Sequence, residues 1–379
     1  MTTPERLTDL ANHSELFAPW TGAFTKNDLE DLINTEFGSP SALDQPVSKD
    51  EKTFHLEVPK TILHIVSANT PHAAFQSLLR GLVLGSHNRI KLPSAGLPTF
   101  EAILPALPPS LNALVETSRD LPPDWLTTAE VLVIFGNDDT VRTLTEQAPA
   151  TTRVIGHGQR LSIALVLDDP ETAATLAATD VCSFDQRGCL SVHDVYVHPD
   201  CPASPETFAA LLAEAMAKDV LTSPPSPLTP SEAGAITTLR ETARFISASL
   251  PEQCQLWESP DSTAWTVIHE SHPAIKVSCL NRVAYVKPWP SHDLHTSLGK
   301  ELQHLACIAL HPFSDSFANS LSILNPSRIC PLGQTQHPPL TWHQDNHHPL
   351  ASLTTWHDQP ALRSSPRRTG PGHHQTPPA

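Results

Sequence analysis

The sequence has no Cys-x-x-Cys pair, and its seven cysteines, at 182, 189, 201, 254, 279, 307 and 330, are odd in number and scattered. That pattern argues against a disulfide framework or a zinc ribbon. It fits a reducing, cytoplasmic compartment in which each cysteine stays a thiol. Charge is also scarce: Asp, Glu, Lys and Arg make up 17% of the chain, against about 25% in an average domain. The balance is acidic, net −16, and the body of the chain shows no basic patch. Binding to nucleic acid or to an anionic membrane is therefore not expected. Long apolar runs are missing. Val131-Leu132-Val133-Ile134-Phe135 is among the longest, far too short to span a bilayer. No apolar core follows Met1-Thr2-Thr3-Pro4-Glu5-Arg6, so no secretory signal is expected. The chain also lacks Gly-x-Gly-x-x-Gly, Gly-x-x-x-x-Gly-Lys-Ser/Thr, Gly-x-Ser-x-Gly and His-Glu-x-x-His. These absences remove the usual dinucleotide fingerprint, the phosphate loop, the serine-hydrolase elbow and the zinc-protease helix.

What is present suits two α/β units. The 379 residues are 39% apolar, enough for sizeable cores, and the 38 prolines imply long extended connections. Residues 1–55 read as a polar, helical lead-in packed on the surface of the main body. Asp28 to Ile33 has helical spacing, and Gly38-Ser39-Pro40 ends it. From Thr61 onward, short apolar runs alternate with helical patterns. Strands are predicted at Thr61–Ser67, Asn88–Pro93, Leu111–Ser118, Val131–Phe135 and Thr152–Ile155, with helices through Phe75 to Val83 and over 98–106. This alternation describes a parallel sheet with crossover helices, whose ligands bind beyond the carboxyl ends of the strands. The polar tips Asn69, Lys91 to Ser94, Gly136 to Thr140 and Gly156 to Gly158 are expected to converge there. An apolar run at 161–168 and an Ala-rich helix at 170–179 deliver the chain to Cys189 and a strand at His193–Val197. Helices follow at 204–221, with Ser204 as N-cap, and at 231–249. Strands at 264–268 and 282–287 and a helix at about 293–306 complete the body. The expected division is 1–55 lead-in, 56–180 Rossmann-like cofactor domain, 181–325 catalytic domain, 326–363 C-terminal return and oligomerisation segment, and 364–379 disordered tail.

Three groups of residues could carry chemistry. Cys189 follows the turn Asp185-Gln186-Arg187-Gly188 and precedes a strand, so it can be held rigidly and still be reached, and nearby positive charge favours its thiolate. Cys182, Cys279 and Cys307 sit among apolar neighbours and read as small buried hydrophobes. Lys91, taken alone, reads as a solvated lysine. His337, His343, Asp345, His347 and His348 are metal-ligand types in a short window. Pro338-Pro339 and Pro349 oppose a helix there, so the window reads as a surface loop and no metal site is expected.

Taken together, the chain resembles the acyl-CoA reductases of the LuxC type, in the aldehyde dehydrogenase superfamily. The blocks that carry the resemblance are His64 to Pro71, Gly81 to Gly85 with Lys91-Leu92-Pro93-Ser94, Val133 to Asp138, Ile155-Gly156-His157, Phe184-Asp185-Gln186-Arg187-Gly188-Cys189-Leu190-Ser191 and Arg328 to Gln334. They occur in order across about residues 55 to 350. The Asp-Gln-x-x-Cys-Leu-Ser block is the most specific. The resemblance implies an aldehyde dehydrogenase-like α/β architecture: a Rossmann-like cofactor domain, an α/β catalytic domain and a small oligomerisation element, in a homo-oligomer. It makes Cys189 the acyl-accepting nucleophile and Asn69 the oxyanion-hole amide. It makes Lys91 and Gly136 cofactor-binding residues. Ser94 stands where relatives often carry a ribose-gripping Glu, and this admits NADPH. No Glu occurs in Ile155 to Arg160, where hydrolytic relatives activate water. The implied activity is NADPH-dependent reduction of an acyl-CoA or acyl-protein thioester to an aldehyde, beside an acyl-activating partner enzyme. Two other readings stay open: a thiol acyltransferase or thioesterase using Cys189 without hydride, and a non-catalytic subunit that binds such a partner.

Overall fold

The computed structural model describes residues 1–49 and 52–360. The stretch 364–379, expected to be disordered, lies outside the described residues. Five parallel strands form one sheet, in the spatial order Val115–Ser118, His87–Lys91, Thr61–Ile65, Val131–Phe135, Arg153–His157. Every residue of Val131–Phe135 is buried, as expected of a central parallel strand covered on both faces. The helix His72–Leu84 returns the chain from Thr61–Ile65. It ends where Gly85 takes φ +81° and its N–H bonds back to the Gly81 carbonyl, a conformation that a Cβ would strain. Strand order reverses between Thr61–Ile65 and Val131–Phe135. A crevice therefore opens at their carboxyl ends, where Ser67 to Thr70 and Gly136-Asn137 emerge.

Seven strands form the second sheet, in the order Cys254–Glu258, Thr266–Glu270, Val283–Pro288, Val192–Val197, Leu161–Val166, Leu305–His311, Arg328–Pro331. All pair in parallel except the edge strand Cys254–Glu258. The strand Leu161–Val166 thus belongs to the second sheet, and the helices Pro170–Cys182 and Pro205–Thr222 share a core with it. The chain changes sheets between His157 and Leu161, not near residue 180. An apolar hexapeptide buried on both faces reads the same in either sheet, so periodicity alone could not place it. The last three strands, Val47–Lys49, Lys52–Glu57 and Thr355–Pro360, form a small antiparallel sheet. The C-terminal return therefore closes on a strand that precedes the first sheet.

Three local expectations differ. The lead-in is core, not surface cover: Leu7, Leu10, Phe17, Leu29 and Ile33 are buried with Ile62 and Phe75. The run from Leu111 splits into a helical turn, Pro109–Asn112, and a shorter strand, Val115–Ser118, because Pro109 is preset for a first helical turn. The helix expected at 293–306 is two short turns, Leu294–Leu298 and Lys300–His304, separated by Gly299 at φ +79°. Ala306 already lies in the strand Leu305–His311.

Candidate active site

Cys189 stands between the helix Pro170–Cys182 and the strand Val192–Val197, in a loop wound against backbone preference. Phe184, Asp185 and Gln186 all take left-handed φ, +53°, +52° and +61°. Such conformations cost about 1–3 kcal/mol each and persist only when their surroundings over-determine them. Here they do. Asp185 accepts from Arg282 Nε at 2.8 Å and from the Ser226 N–H at 3.1 Å. The side chain of Gln186 is fully buried. Its amide nitrogen donates to the carbonyls of Val192 (2.7 Å) and Val283 (2.8 Å), and its oxygen accepts from Ser278 Oγ (3.1 Å) and the Val283 N–H (2.9 Å). That fills the hydrogen-bonding capacity of an amide. Arg187 donates to Asn281 Oδ1 at 2.8 Å and pairs with Glu232 at 2.9 Å. The facing segment Leu280-Asn281-Arg282 is left-handed as well, at φ +63°, +56° and +62°. A Cβ at Gly188 would lie 2.7 Å from Gln336 Oε1, so a side chain there would have to displace the Gln336 amide. Gln336 in turn donates to Ser191 Oγ at 2.9 Å. The block from Asp185 to Ser191 is thus the wiring that fixes the position of Cys189.

Cys189 opens into a cleft of about 580 Å³ that also receives Asn69, Gly136, Asn137, His157, Arg160 and Asp345. The structure therefore brings together Cys189, Asn69 and Gly136 of the expected residues. Lys91 lines an adjoining cavity of about 410 Å³ with Asn137 and Thr140, so Asn137 borders both spaces. Among the described residues Lys91 has no side-chain hydrogen bond or ion pair. Ser94 is an exposed turn residue that lines neither cavity. Cys182 and Cys307 are buried as expected, but Cys279 is half-buried and lines the cleft.

Three further residues of the cleft form one charged, hydrogen-bonded group, His157, Arg160 and Asp345, the last of which the sequence places in a surface loop. The Asp345 side chain is 5% exposed and the His157 side chain 6%. His157 Nδ1 lies 2.6 Å from Asp345 Oδ2, and Arg160 Nε donates to Asp345 Oδ1 at 2.7 Å. Burial pushes the His157 pKa down, and Asp345 only partly opposes it. Burial pushes the Asp345 pKa up, but the His157 hydrogen bond and the Arg160 charge more than offset that and leave it below its ordinary value. A neutral imidazole beside an ionised carboxylate carries its proton on Nδ1, and Nε2 is left as the acceptor. Cys189 is reached by solvent from the cleft mouth, with protein around it on the other sides. Burial pushes its thiol up to about 12, with Asp345 adding to the push and Arg160 opposing it. Solvent access moderates that push, but in either case the resting group is a thiol at neutral pH and needs a base to become a nucleophile.

The start of the helix Asp138–Gln147 is already occupied by its own chain. Asn137 Oδ1 caps the Thr140 N–H at 2.8 Å, Asp138 Oδ1 accepts from the Gln159 N–H at 2.8 Å, and Asp139 pairs with Arg142 at 2.6 Å. Two carboxylates on a first helical turn satisfy the dipole and repel a phosphate. The cationic group available to an anionic ligand in the adjoining cavity is Lys91.

The acyl-CoA reductase (LuxC) family profile matches residues 7–356. Long-chain acyl-protein thioester reductase 2 of Photobacterium leiognathi is 27% identical over 201 residues, which is 48% of this chain and 42% of that protein. The match thus spans less than half the length of this curated relative. Among solved structures, an NAD-dependent benzaldehyde dehydrogenase from Corynebacterium glutamicum superposes with TM-score 0.62 at 14% identity, covering 96% of this chain and 85% of that one. The aldehyde dehydrogenase KauB from Pseudomonas aeruginosa gives TM-score 0.65 at 11% identity, covering 95% and 84%. At such identities the likeness concerns the fold, which is aldehyde dehydrogenase-like α/β as expected.

Proposed function

The chain belongs to the acyl-CoA reductase (LuxC) family, and from that premise we propose that it reduces an acyl-CoA or acyl-protein thioester to the aldehyde through an S-acyl intermediate on Cys189, with NADPH as reductant. The observation that carries the reading is the meeting of Cys189, Asn69 and the His157–Asp345 pair in one cleft that adjoins the Lys91 cavity at Asn137.

His157 Nε2 takes the Cys189 proton, with Asp345 holding the ring and stabilising the imidazolium that forms. The thiolate attacks the acyl carbonyl. Asn69 and the Cys189 N–H are the donors for the oxyanion, and donors fixed in a concave site stabilise charge as it develops. The carbon–sulfur bond of the incoming thioester then breaks, and His157 returns the proton to the departing thiol. The acyl group is left on Cys189 as a thioester, still electrophilic. Lys91, Gly136 and Asn137 would hold a nicotinamide cofactor, which would supply hydride to that acyl carbon; cleavage of the Cys189 carbon–sulfur bond would then release the aldehyde and return the residue to its thiol. Within Ile155 to Arg160 no carboxylate is present to activate water against the acyl-enzyme, and Arg160 is committed to Asp345. Homo-oligomerisation through the small three-stranded sheet, and delivery of substrate by an acyl-activating partner enzyme, belong to the same reading.

Acyl transfer by Cys189 without hydride is the second reading, favoured by the two carboxylates at the start of the helix Asp138–Gln147. One experiment separates the two. NADPH oxidation is followed by absorbance with a series of acyl-CoAs, for the native chain and for Cys189→Ala. Turnover abolished in the variant supports reduction. Labelled acyl-enzyme in the native chain with no NADPH consumed would overturn reduction in favour of transfer.

A further inference from the structure

We propose that Glu36, His343 and His348 form a binding site for a divalent transition metal, zinc by the character of its donors, which clips the helix Lys26–Phe37 to the loop that carries Asp345. The three donor atoms already lie at ligand spacing. His343 Nε2 is 3.2 Å from His348 Nδ1, His348 Nδ1 is 3.1 Å from Glu36 Oε1, and His343 Nε2 is 3.7 Å from Glu36 Oε1. For zinc bonds of about 2.0–2.1 Å, the edge of a tetrahedron is about 3.3–3.4 Å. The trio therefore matches one face of a tetrahedron, and the half-exposed rings of His343 and His348 leave room for water as the fourth ligand. Two imidazoles and a carboxylate are borderline ligands of the kind zinc takes.

The surroundings are those of a built site. The Glu36 side chain is 1% exposed. Its second oxygen accepts the N–H groups of Leu350 and Ala351 at 3.2 and 3.0 Å, which orients the first oxygen toward the two rings, as outer hydrogen bonds orient metal ligands. Arg80 lies close enough to feel both Glu36 and Asp345 and donates to Gln344 Oε1 at 3.1 Å, so its charge is not spent on Glu36 alone. Without a cation the trio is frustrated. A single proton on His348 Nδ1 can be shared between Glu36 and His343, but the lone pairs of those two atoms then face each other across 3.7 Å. A metal ion satisfies all three donors at once.

The consequence reaches the cleft. Only Gln344, Asp345, Asn346 and His347 separate the two histidines. Within that span Asp345 and Asn346 hold left-handed φ, +52° and +65°, and Asp345 grips His157 and Arg160. Metal bound at the ends of this turn restrains the carboxylate at its middle. The inference does not depend on which acyl reaction Cys189 performs.

The test uses the full chain stripped with a chelator and then titrated with Zn²⁺ or Co²⁺. The expected result is one equivalent of tight zinc. The Co²⁺ form should show the visible bands of a tetrahedral ion and no near-ultraviolet thiolate charge transfer, which separates this site from Cys189 or any other cysteine. His343→Ala and His348→Gln should each weaken binding at least about tenfold. Zinc should slow amide exchange in the 343–351 segment of the native chain and leave it unchanged in both variants. No stoichiometric zinc, or binding that survives both histidine variants, or a thiolate band in the Co²⁺ spectrum, would overturn the proposal. Since both rings are about half exposed, a folding defect common to the two variants is not expected, and far-UV circular dichroism checks it.

Discussion

The two walls of the cleft are built on opposite plans. On the Cys189 side, three consecutive left-handed residues face three more, and Asp185, Gln186 and Arg187 all have named partners. On the Lys91 side, one lysine that has no side-chain partner among the described residues and Asp139, one of two carboxylates at a helix start, line the adjoining cavity. The chain itself thus holds Cys189 in place, as the acyl chemistry proposed for it, which tolerates little misplacement, requires. The Lys91 wall is sparse, so if it holds the proposed cofactor, binding there should be adjustable while the position of the sulfur is not. Substitutions on the first wall should damage fold and chemistry together. Those on the second should move only cofactor affinity.

The largest effect is expected at Gln186. Leucine at this position keeps the volume but leaves the carbonyls of Val192 and Val283 and the Val283 N–H without their partner, in a fully buried site. Each unsatisfied buried backbone group costs about 1–3 kcal/mol. Gln186→Leu should therefore lower stability by about 3–5 kcal/mol in denaturant unfolding and abolish turnover. A variant of native stability and activity would show that the loop is held by something other than this amide.

How much of this was legible follows from distance along the chain. The loop that carries Cys189 into the cleft was readable because its Gly, its thiol and its polar turn are adjacent. The hydrogen bonding that buries Gln186 was not readable, because its partner Val283 lies 97 residues away. Asp345 was hidden more thoroughly. It sits in a Pro- and His-rich window that composition assigns to a surface loop, and His157 and Arg160, which make it a cleft residue, lie 188 and 185 residues earlier. The parallel sheets were legible from apolar runs, but the membership of Leu161–Val166 was not, since burial on both faces erases the periodicity that would say which sheet. Ser94 was placed by analogy with the residue pattern alone, and the structure puts it in an exposed turn outside both cavities.

The second effect is one the two halves should share. His64 in the first sheet and His193 in the second are buried and neutral, and burial lowers each to about 4. His64 uses both nitrogens, with Ser77 Oγ at 2.6 Å and Asn88 Oδ1 at 3.0 Å. His193 Nδ1 accepts the Ser278 N–H at 3.1 Å. Their folded pKa values lie below the unfolded value, so the unfolded chain takes up protons first. Stability is full above about pH 6.5 and falls as pH drops toward 4, at up to about 1.4 kcal/mol per pH unit for each ring. Denaturant midpoints measured from pH 7.5 to 4.5 check this. His64→Gln should remove the share of the slope that belongs to the first sheet, and an unchanged slope would assign the acid sensitivity elsewhere.

The smallest effects should be on the sparse wall, and they test the comparison most directly. Lys91→Ala removes the cation lining the adjoining cavity, and a single partly solvated charge contact is worth about 1 kcal/mol, so KM for NADPH should rise about fivefold. Asp139→Asn removes one of the two carboxylates at the helix start. Its own ion pair with Arg142 is exposed on both sides and worth little, so the change acts through the repelled phosphate and should lower the same KM about twofold. In both variants the rate at which iodoacetamide alkylates Cys189, and the pH dependence of that rate, should match the native chain, because neither residue touches the nucleophile loop. Alkylation that shifts with Lys91 or Asp139 would mean the two walls are coupled. A KM that moves in neither variant would mean the cofactor does not run past Asn137.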